Sequence, residues 1–522
     1  MSLIESLPLD NGLFPNTSTV NSLLDHPFQA LPRLSRSVFH IPEQVHRANL
    51  RFKEGLVLQE QNQKQEAAEC FAEAVVLAPS NTEYLLALGQ LEFELDRLPE
   101  AALCFEKLTR INPRDASAWL TLGFIKFRLE QFQNAIFPLS EAVYLDPASA
   151  DATFYLAESL RLVERYEESI PLYQRLLPVG SQRPHGVYGY ALSLLALGRL
   201  EEGWEAFEFR MVSKIGTWQQ HNLLNWDGMP DSAKTVLAYS EEGIAADILF
   251  ASCLPDLAQS VGRCVVECDE SLHSLFARSF PEIAFSPLSA QPLVSSQGFA
   301  DPLFETKYDP KPRHPLSEAG IGEQVALGSL PRFFRKNLAA FPKHDAFLVA
   351  DPEISAKWGK TLAQKSPLPK IGALWQGTFT GESDIQRTVP VDLFRTLLSK
   401  RHVDWISLQQ GSRQADVRKI RSDWRLKIDE YPEVFQYGQT EELAGLLSNL
   451  DLVISPPGYI ANLAAALGVE TWLIVPYPAD WRWTLQDETT PWFPKMRLFK
   501  QNCDESLQEV VRTVGVRLQA EI

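Results

Sequence analysis

Small and apolar residues recur at a fixed interval of 34 residues in the first half of the chain. Glycine, alanine and proline each keep this step, at Gly55, Gly89 and Gly123, at Ala67, Ala101 and Ala135, and at Pro79, Pro113 and Pro147. Small residues at fixed offsets let the two helices of a hairpin approach closely. The proline ends the second helix, because it cannot continue one. The period therefore predicts a series of stacked helical hairpins.

The pattern weakens after Pro147 but does not stop there. Residues 152–177 keep it with Ala157 in place of glycine, and residues 186–211 form a partial copy, so we count about five copies over residues 43–213. This period resembles the tetratricopeptide repeat. The resemblance implies an α-solenoid whose concave groove holds a protein or peptide; the alternative is that the solenoid only braces the second half. Residues 1–42 are predicted to be an N-terminal extension.

The second half alternates short apolar runs with helical patterns. Strand-type runs occur at TVLAY (235–239), CVVEC (264–268), KIGALWQG (370–377), DWISLQQG (404–411), LDLVISPPG (450–458) and ETWLIVPYP (470–478). Strands that alternate with helices predict an α/β fold with parallel sheets. We predict two Rossmann-like domains, at residues 230–355 and 368–522. Ligands of such sheets bind beyond the carboxyl ends of the strands.

Charge and hydropathy narrow the classes of partner. The net charge of -17 argues against a nucleic-acid partner, since no basic stripe could offset it. No apolar run approaches the roughly 20 residues of a membrane span. The first ten residues, MSLIESLPLD, have neither the positive nor the apolar region of a signal peptide. We therefore expect a cytoplasmic protein without a membrane span.

Several short motifs follow one another in an order that resembles a known group of bacterial proteins. These proteins combine N-terminal tetratricopeptide repeats with a C-terminal glycosyltransferase domain akin to the heptosyltransferase and O-GlcNAc-transferase-like families. The motifs are GWEAFEFRM (203–211), WDG (226–228), EEGIAADILF (241–250), LGSLPRFF (327–334), LWQG (374–377), SLQQG (407–411), DLVIS (451–455), LAAALG (463–468), PYPADWRW (476–483) and TPWFPKMRLFKQ (490–501).

The resemblance implies a GT-B pair of Rossmann-like domains and a metal-independent glycosyltransferase. Such an enzyme moves a sugar from a nucleotide-sugar to a protein acceptor held by the repeats. Related architectures suggest flagellin as that acceptor. The nucleotide-sugar would be a substrate, and no bound cofactor is expected. The scattered histidines give no metal cluster.

The catalytic loop departs from the family pattern. Relatives carry Gly-x-Gly-Asp where this chain has Gly243-Ile244-Ala245-Ala246, and the aspartate, Asp247, comes one place later. Asp247 and Glu242 are the candidate general bases. The alternative is that Asp247 is a carboxylate at a helix N-terminus, where the helix dipole would lower its pKa.

The predicted donor site also departs from the family. Relatives carry Asp-Thr and a histidine where this chain has Pro457-Gly458 and Asn462. Ser455 is predicted to cap a helix beginning at about Pro456, whose free N–H groups suit a phosphate; a plain capped turn is the alternative. The candidate donor-binding residues are Gln376, Gly377, Thr378, Arg387, Gln409, Ser455, Gly458, Tyr459, Asn462, Trp481 and Arg482.

Three functions remain open on the sequence alone. The first is an active protein glycosyltransferase. The second is a non-catalytic interaction or scaffold protein built on a degenerate transferase, which the altered loops favour. The third is a lipopolysaccharide-core transferase, which the heptosyltransferase likeness suggests but the repeats do not. The nucleotide and sugar of the donor cannot be read from the fold.

Overall fold

A computed structural model describes residues 43–177, 184–213, 223–288, 320–377, 388–409, 414–435 and 440–522. Internal packing divides the chain into two compact units, one ending at Pro178 and the other beginning at Val179. The described residues of the first unit form helices, and those of the second unit form helices and parallel sheets. No helix in the described ranges is long and apolar enough to cross a membrane.

Within residues 43–177, eight helices form four hairpins. They are α1 (Glu43–Glu60), α2 (Lys64–Leu77), α3 (Thr82–Glu94), α4 (Leu98–Ile111), α5 (Ala116–Arg128), α6 (Phe132–Leu145), α7 (Ala150–Leu162) and α8 (Tyr166–Leu176). The first helices of the later hairpins begin after side chains that accept backbone N–H groups, at Asn81, Asp115 and Ser149. These caps keep the 34-residue step and satisfy N–H groups that the helix leaves free.

The glycines of the repeat permit close contact between the two helices of each hairpin. A Cβ on Gly55 would lie 2.5 Å from the Phe71 ring, and one on Gly123 would lie 2.5 Å from Leu139 Cγ. The partner side chains at this register are almost fully buried, at Phe71, Phe105, Leu139 and Tyr173. The sequence pattern therefore follows from how much space each hairpin leaves between its helices.

The turn inside each hairpin has a recurring backbone conformation. Asn62, Asp96, Glu130 and Glu164 have φ between 57° and 59°, an uncommon value for residues other than glycine. Gly198, one further step of 34 residues along, has φ of 72°. A fifth hairpin therefore continues the same register after the fourth.

The described residues of the second unit form ten strands in two sheets. In chain order these are β1 (Leu224–Asn225), β2 (Asp231–Tyr239), β3 (Val261–Asp269), β4 (Ala284–Leu288), β5 (Glu323–Ala326), β6 (Lys370–Ala373), β7 (Asp404–Ser407), β8 (Leu452–Ser455), β9 (Thr471–Val475) and β10 (Met496–Lys500). One sheet has the order β1-β5-β2-β3-β4 and the other β10-β9-β8-β6-β7, with all neighbours parallel. The predicted parallel α/β fold is therefore present, and its assignment to the GT-B class stays a prediction.

Thirteen helices accompany these sheets in the described part of the second unit. They are α9 (Pro184–Ala196), α10 (Leu200–Phe207), α11 (Arg210–Ser213), α12 (Ile244–Ala251), α13 (Leu254–Ser260), α14 (Glu270–Ser279), α15 (Leu330–Phe334), α16 (Pro352–Lys365), α17 (Val391–Leu398), α18 (Gln414–Arg418), α19 (Thr440–Leu447), α20 (Tyr459–Ala466) and α21 (Leu507–Glu521). Buried tryptophans anchor the core of the second sheet, at Trp375, Trp405 and Trp472.

The fifth hairpin, α9 and α10, belongs to the second unit, which we call the α/β unit, although its sequence follows the repeat. Trp204 is 1% exposed, and its Nε1 donates to the carbonyl of Arg335 at 3.0 Å. Its ring meets Trp481 edge-to-face, with centroids 5.4 Å apart. Thr484 Oγ1 donates to the carbonyl of Ala196 at 3.0 Å. The sequence pattern grouped residues 184–213 with the repeats. In the structure, Trp204 of this segment packs against residues of the α/β unit.

Candidate functional site

The helices that follow β2 and β8 begin next to each other. β2 ends at Tyr239 and leads through a short loop into α12, and β8 ends at Ser455 and leads into α20. Asn462 Nδ2, in the first turn of α20, donates to the carbonyl of Ala245 in α12 at 2.9 Å. The carboxyl ends of strands from the two sheets therefore face a common region, which is where parallel sheets bind ligands.

The helix after β8 begins later than the sequence predicts. Ser455 is the last residue of the strand, its Oγ donates to the carbonyl of Pro456, and the helix begins at Tyr459 with Gly458 in the capping position. The prediction of a Ser455 cap and a start near Pro456 was wrong. A proline disfavours helical conformation in the residue before it, so Pro457 keeps Pro456 out of the helix.

Both helix starts leave space beside a glycine. A Cβ built on Gly243 or on Gly458 would have no heavy atom within 4 Å, apart from its own chain neighbours. Gly243 has φ of 86°, a backbone conformation that side-chain-bearing residues rarely adopt. The first N–H groups of a helix have no partner within it, and the dipole favours an anion there. The geometry can therefore admit a phosphate close to the backbone.

Asp247 lies in the interior of the protein. It is 1% exposed, and Ser240 Oγ donates to its Oδ2 at 2.6 Å. Burial raises the pKa of Asp247 well above its ordinary value, and the nearby charges of Asp269, Glu241 and Glu242 act in the same direction. The expectation that the helix dipole would lower this pKa was wrong, because desolvation outweighs it. A carboxyl that is 1% exposed is poorly placed to take a proton from an acceptor, so the role of Asp247 as a base stays a prediction.

A buried arginine holds the two acids that precede Gly243. The Arg210 guanidinium pairs with Glu241, and its Nε lies 3.5 Å from Glu242 Oε1. The backbone N–H of Gly328 and the Ser329 hydroxyl complete the arrangement, at 3.1 Å from Glu241 and 2.9 Å from Arg210. Burial raises the pKa of Glu241 to about 7, and the arginine opposes this shift.

Glu242 and Arg482 form the more accessible part of the same cluster. Arg482 Nη2 lies 3.0 Å from Glu242 Oε2, with side chains 19% and 15% exposed, and Arg482 also pairs with Asp480 at 3.1 Å. The guanidinium lies 4.5 Å from the centre of the Trp481 ring. Trp481 itself is buried against Trp204, so its ring packs in the core and is not exposed to bind a donor.

The loops after β6 and β7 are joined by one side-chain amide. Gln409 Oε1 accepts the N–H of Gln376 at 3.1 Å, and Gln409 Nε2 donates to the carbonyl of Gln376 at 3.2 Å. Gly377 follows directly and is half-buried. The other two residues predicted here, Thr378 and Arg387, lie outside the described residues.

Two buried oxygen atoms in this region have no hydrogen-bond partner among the residues that the structure describes. They are Asn462 Oδ1 and Glu241 Oε2, and both residues are 4% exposed. Tyr459, at the start of α20, donates through its hydroxyl to Thr440 Oγ1 at 3.3 Å, and burial raises its pKa. No group of three or more potential metal ligands occurs in the described ranges.

The sequence analysis missed Arg210 and Ser240. Arg210 belongs to the GWEAFEFRM motif, but an arginine at the end of a repeat-like helix is ordinarily a surface residue. Ser240 is a single serine at a strand end, and no pattern marks it as the partner of Asp247. Two features of the sequence could have indicated a buried role for Arg210. It follows the apolar Phe207 within the motif, and two consecutive acids, Glu241 and Glu242, follow strand β2 and could pair with it.

Comparison with known proteins supports the repeat assignment. The tetratricopeptide-repeat family model matches residues 52–116 and 120–186. The N-terminal region thus consists of tetratricopeptide repeats, as the 34-residue period predicted. These repeats form helical hairpins of the kind used for protein interaction.

A curated relative extends the likeness beyond the repeats. Protein FlbA of Caulobacter vibrioides is 27% identical over 323 residues, which cover 60% of this chain and 51% of the relative. The chain thus spans about half the length of that protein. Residues 1–183 make up only about a third of this chain, so the likeness reaches into the α/β unit. The glycosyltransferase assignment of this unit stays a prediction.

Two solved structures are similar to about a third of the chain. A crystal structure of MamA is 19% identical, covers 33% of this chain and 93% of its own, and has a TM-score of 0.30. YrrB, described as a TPR protein with an unusual peptide-binding site, is 19% identical, covers 32% of this chain and 90% of its own, and has a TM-score of 0.28. Scores this low support no conclusion about the ligand of this chain.

Proposed function

We propose that the protein is a glycosyltransferase that moves a sugar from a nucleotide-sugar to a protein held by its repeats. The observation that carries this proposal is the pair of adjacent helix N-termini, α12 and α20, at the carboxyl ends of strands from two parallel sheets. Space beside Gly243 and Gly458 leaves room for a ligand. The function rests on this site and on the resemblance of the motifs around it.

The site offers the nucleotide-sugar two kinds of interaction. Free N–H groups and the positive dipole ends of α12 and α20 suit the phosphates. Arg482 is partly exposed beside this region and can exchange a carboxylate partner for a phosphate oxygen, because a guanidinium binds both in the same way. The donor phosphates therefore have partners that do not depend on the side chains that relatives carry.

The transfer itself requires a group that accepts a proton. The bond between the anomeric carbon and the phosphate oxygen breaks, and the nucleotide leaves with the bonding electrons. The acceptor oxygen forms the new bond to that carbon and loses its proton. Of the two acids predicted as bases, Glu242 is the one whose side chain reaches solvent, so we assign the proton to Glu242.

The acceptor is proposed to be a protein because the N-terminal region consists of tetratricopeptide repeats. Curved repeat solenoids present extended concave surfaces that bind other chains. Flagellin remains the candidate that related architectures suggest.

A donor-binding experiment tests the site directly. Thermal shifts are measured with UDP-, GDP-, ADP- and CMP-sugars, and we expect one nucleotide class to raise the melting temperature. Gly458→Glu should remove that shift, since a carboxylate about 4 Å from a phosphate charge costs roughly 1–4 kcal/mol, a loss of roughly 5- to 1000-fold in affinity. Gly458→Gln is the matched control, because it adds the same bulk without charge. Equal losses in both variants, or normal binding by a folded Gly458→Glu, would place the phosphates elsewhere.

A non-catalytic interaction protein is the second candidate. The burial of Asp247 and the pairing of Glu242 with Arg482 favour it, because the first acid is shielded from solvent and the second already has a cationic partner. Mass spectrometry of proteins that co-purify with the repeats, after incubation with the donor panel, separates the two functions. A sugar adduct that Glu242→Gln abolishes supports the transferase. Donor binding without an adduct on any retained protein supports the scaffold.

A further inference from the structure

The orientation of the Asn462 side chain is fixed by its contact with α12. The backbone N–H of Asn462 donates to the carbonyl of Gly458 at 3.1 Å, so both residues lie on one face of the helix start. The side-chain atom facing the Ala245 carbonyl must be a donor, because two carbonyl oxygens would repel each other. This assigns Nδ2 to Ala245, at 2.9 Å, and directs Oδ1 away from it.

Asn462 Oδ1 is a buried acceptor that lacks a donor. The residue is 4% exposed, and Oδ1 has no hydrogen-bond partner in the part of the chain that the structure describes. Buried polar atoms are nearly always paired, so an unpaired atom at a candidate ligand site indicates the chemistry of the missing group. An amide oxygen accepts hydrogen bonds and cannot donate them.

The missing group is therefore a donor, which excludes a phosphate at this position. Phosphate oxygens of a nucleotide diphosphate are acceptors near neutral pH, and an amide oxygen facing them would be repelled. A sugar hydroxyl can donate and is uncharged, which suits a buried oxygen. The region beside Gly458 then has two parts, with backbone N–H groups for phosphate and Asn462 Oδ1 for a hydroxyl.

We propose that Asn462 selects the nucleotide-sugar by accepting a hydrogen bond from one of its hydroxyl groups. The hydroxyl belongs either to the ribose or to the transferred sugar, which offer the same chemistry. The inference rests on the proposed donor site. Asn462 would then be a specificity residue that accepts a hydrogen bond from a hydroxyl group, while the Nδ2 contact with Ala245 keeps its amide in place.

The test compares each nucleotide-sugar with its deoxy analogues by titration calorimetry. The probes are UDP-glucose, GDP-mannose, ADP-glucose and CMP-N-acetylneuraminate, each with analogues lacking one ribose hydroxyl or one hydroxyl of the transferred sugar. For the nucleotide class that binds, we expect one deoxy analogue to bind the wild type roughly 10- to 100-fold more weakly than the parent compound, because the missing hydroxyl leaves Asn462 Oδ1 unpaired. The hydroxyl that this analogue lacks then shows whether Asn462 contacts the ribose or the transferred sugar.

Two variants separate this role from a purely structural one. Asn462→Ala should bind the parent and that deoxy analogue about equally, because the oxygen that discriminates them is gone. Asn462→Asp places an oxygen against the Ala245 carbonyl, so the contact that orients the side chain is lost and the discrimination should fall in this variant as well. The ratio of two affinities measured on one variant does not depend on how stable that variant is.

The outcomes are distinct. A wild type that binds all deoxy analogues as tightly as the parent shows that water suffices for Oδ1 and overturns the proposal. Discrimination that persists in Asn462→Ala also overturns it, because another residue then reads the hydroxyl. If no nucleotide-sugar binds the wild type, the proposed donor site fails, and this inference fails with it.

Discussion

Replacing Asp247 with asparagine should make the α/β unit less sensitive to rising pH. Asp247 is 1% exposed, and the single described hydrogen bond to its carboxyl group comes from the Ser240 hydroxyl at 2.6 Å. An asparagine oxygen can accept the same bond and has nearly the same shape. The substitution therefore removes the titrating proton while leaving the packing around α12 unchanged.

The magnitude follows from the raised pKa of Asp247. In the unfolded chain this carboxyl loses its proton near its ordinary pKa of 3.8, whereas burial keeps it protonated in the fold to a higher pH. Between those two values the unfolded state binds fewer protons than the native state. The free energy of unfolding therefore falls as pH rises, by about 1.4 kcal/mol per pH unit from this one group. Asp247→Asn lacks that loss.

Urea denaturation at a series of pH values measures the difference. Tryptophan fluorescence reports on the α/β unit, because eleven of the twelve tryptophans of the chain follow residue 184 and only Trp119 precedes it. We expect the stability of Asp247→Asn relative to the wild type to increase from pH 5 upwards, and to stop increasing once the folded wild type ionises. Ser240→Ala is a useful comparison, since it keeps the carboxyl and removes the one interaction that favours its charged form.

Parallel stability profiles for the wild type and Asp247→Asn would refute this reasoning. They would mean that Asp247 ionises in the fold as it does in the unfolded chain. A loss of sugar transfer by roughly 100-fold or more without a change in the pH profile would instead restore Asp247 as the general base.

The other two stability predictions concern packing and charge. Gly123→Ala should destabilise the repeat unit by about 1–3 kcal/mol, since the new Cβ would lie 2.5 Å from Leu139 Cγ, whereas Gly322→Ala, which meets nothing within 4 Å, should be nearly neutral by thermal denaturation. Arg210→Met should cost about 3–5 kcal/mol because it leaves Glu241 buried without its partner. Adding Glu241→Gln should recover part of that loss in the same denaturation assay, and a double variant no more stable than Arg210→Met would contradict the ion-pair explanation.

The repeat unit was predictable because its packing is local. Ala67, Ala101 and Ala135 are each fully buried, and the helices of the repeat unit pack mainly against their neighbours in sequence. The narrow space between the two helices of a hairpin limits side-chain size at fixed positions, so small residues recur visibly every 34 residues in the sequence. The helices and their caps consequently agree with the period, and the repeat family model matches the same region.

The strands were predictable where they are buried on both faces. β6, β7, β8 and β9 are entirely buried and read as short apolar runs. Four strands were not predicted, namely β1, β4, β5 and β10. β1 consists of two exposed residues, β4 contains a serine and a proline, β5 begins with Glu323 and Gln324, and buried and half-buried positions alternate along β10. The predicted first α/β domain, beginning at residue 230, therefore omitted β1.

The site was predictable only as a set of loops. Asn462 contacts Ala245 across 217 residues, and Arg210 reaches Glu241 across 31 residues. No periodicity in a single sequence encodes a partner at such a distance. The sequence therefore indicated which strand ends carry chemistry, but it could not show that Asp247 is enclosed or that Glu242 is already paired with Arg482.

The fifth hairpin limits how a chain of this kind can change its length. Tandem duplication or deletion of a whole 34-residue module preserves the contacts of its neighbours only if every module is interchangeable. Trp204 in this hairpin donates to the Arg335 carbonyl, and Arg210, three residues after the hairpin, pairs with Glu241. Both partners belong to the part of the chain that carries the sheets. Modules could therefore be gained or lost among the first four hairpins, whereas the fifth would have to be inherited together with the α/β unit as one piece.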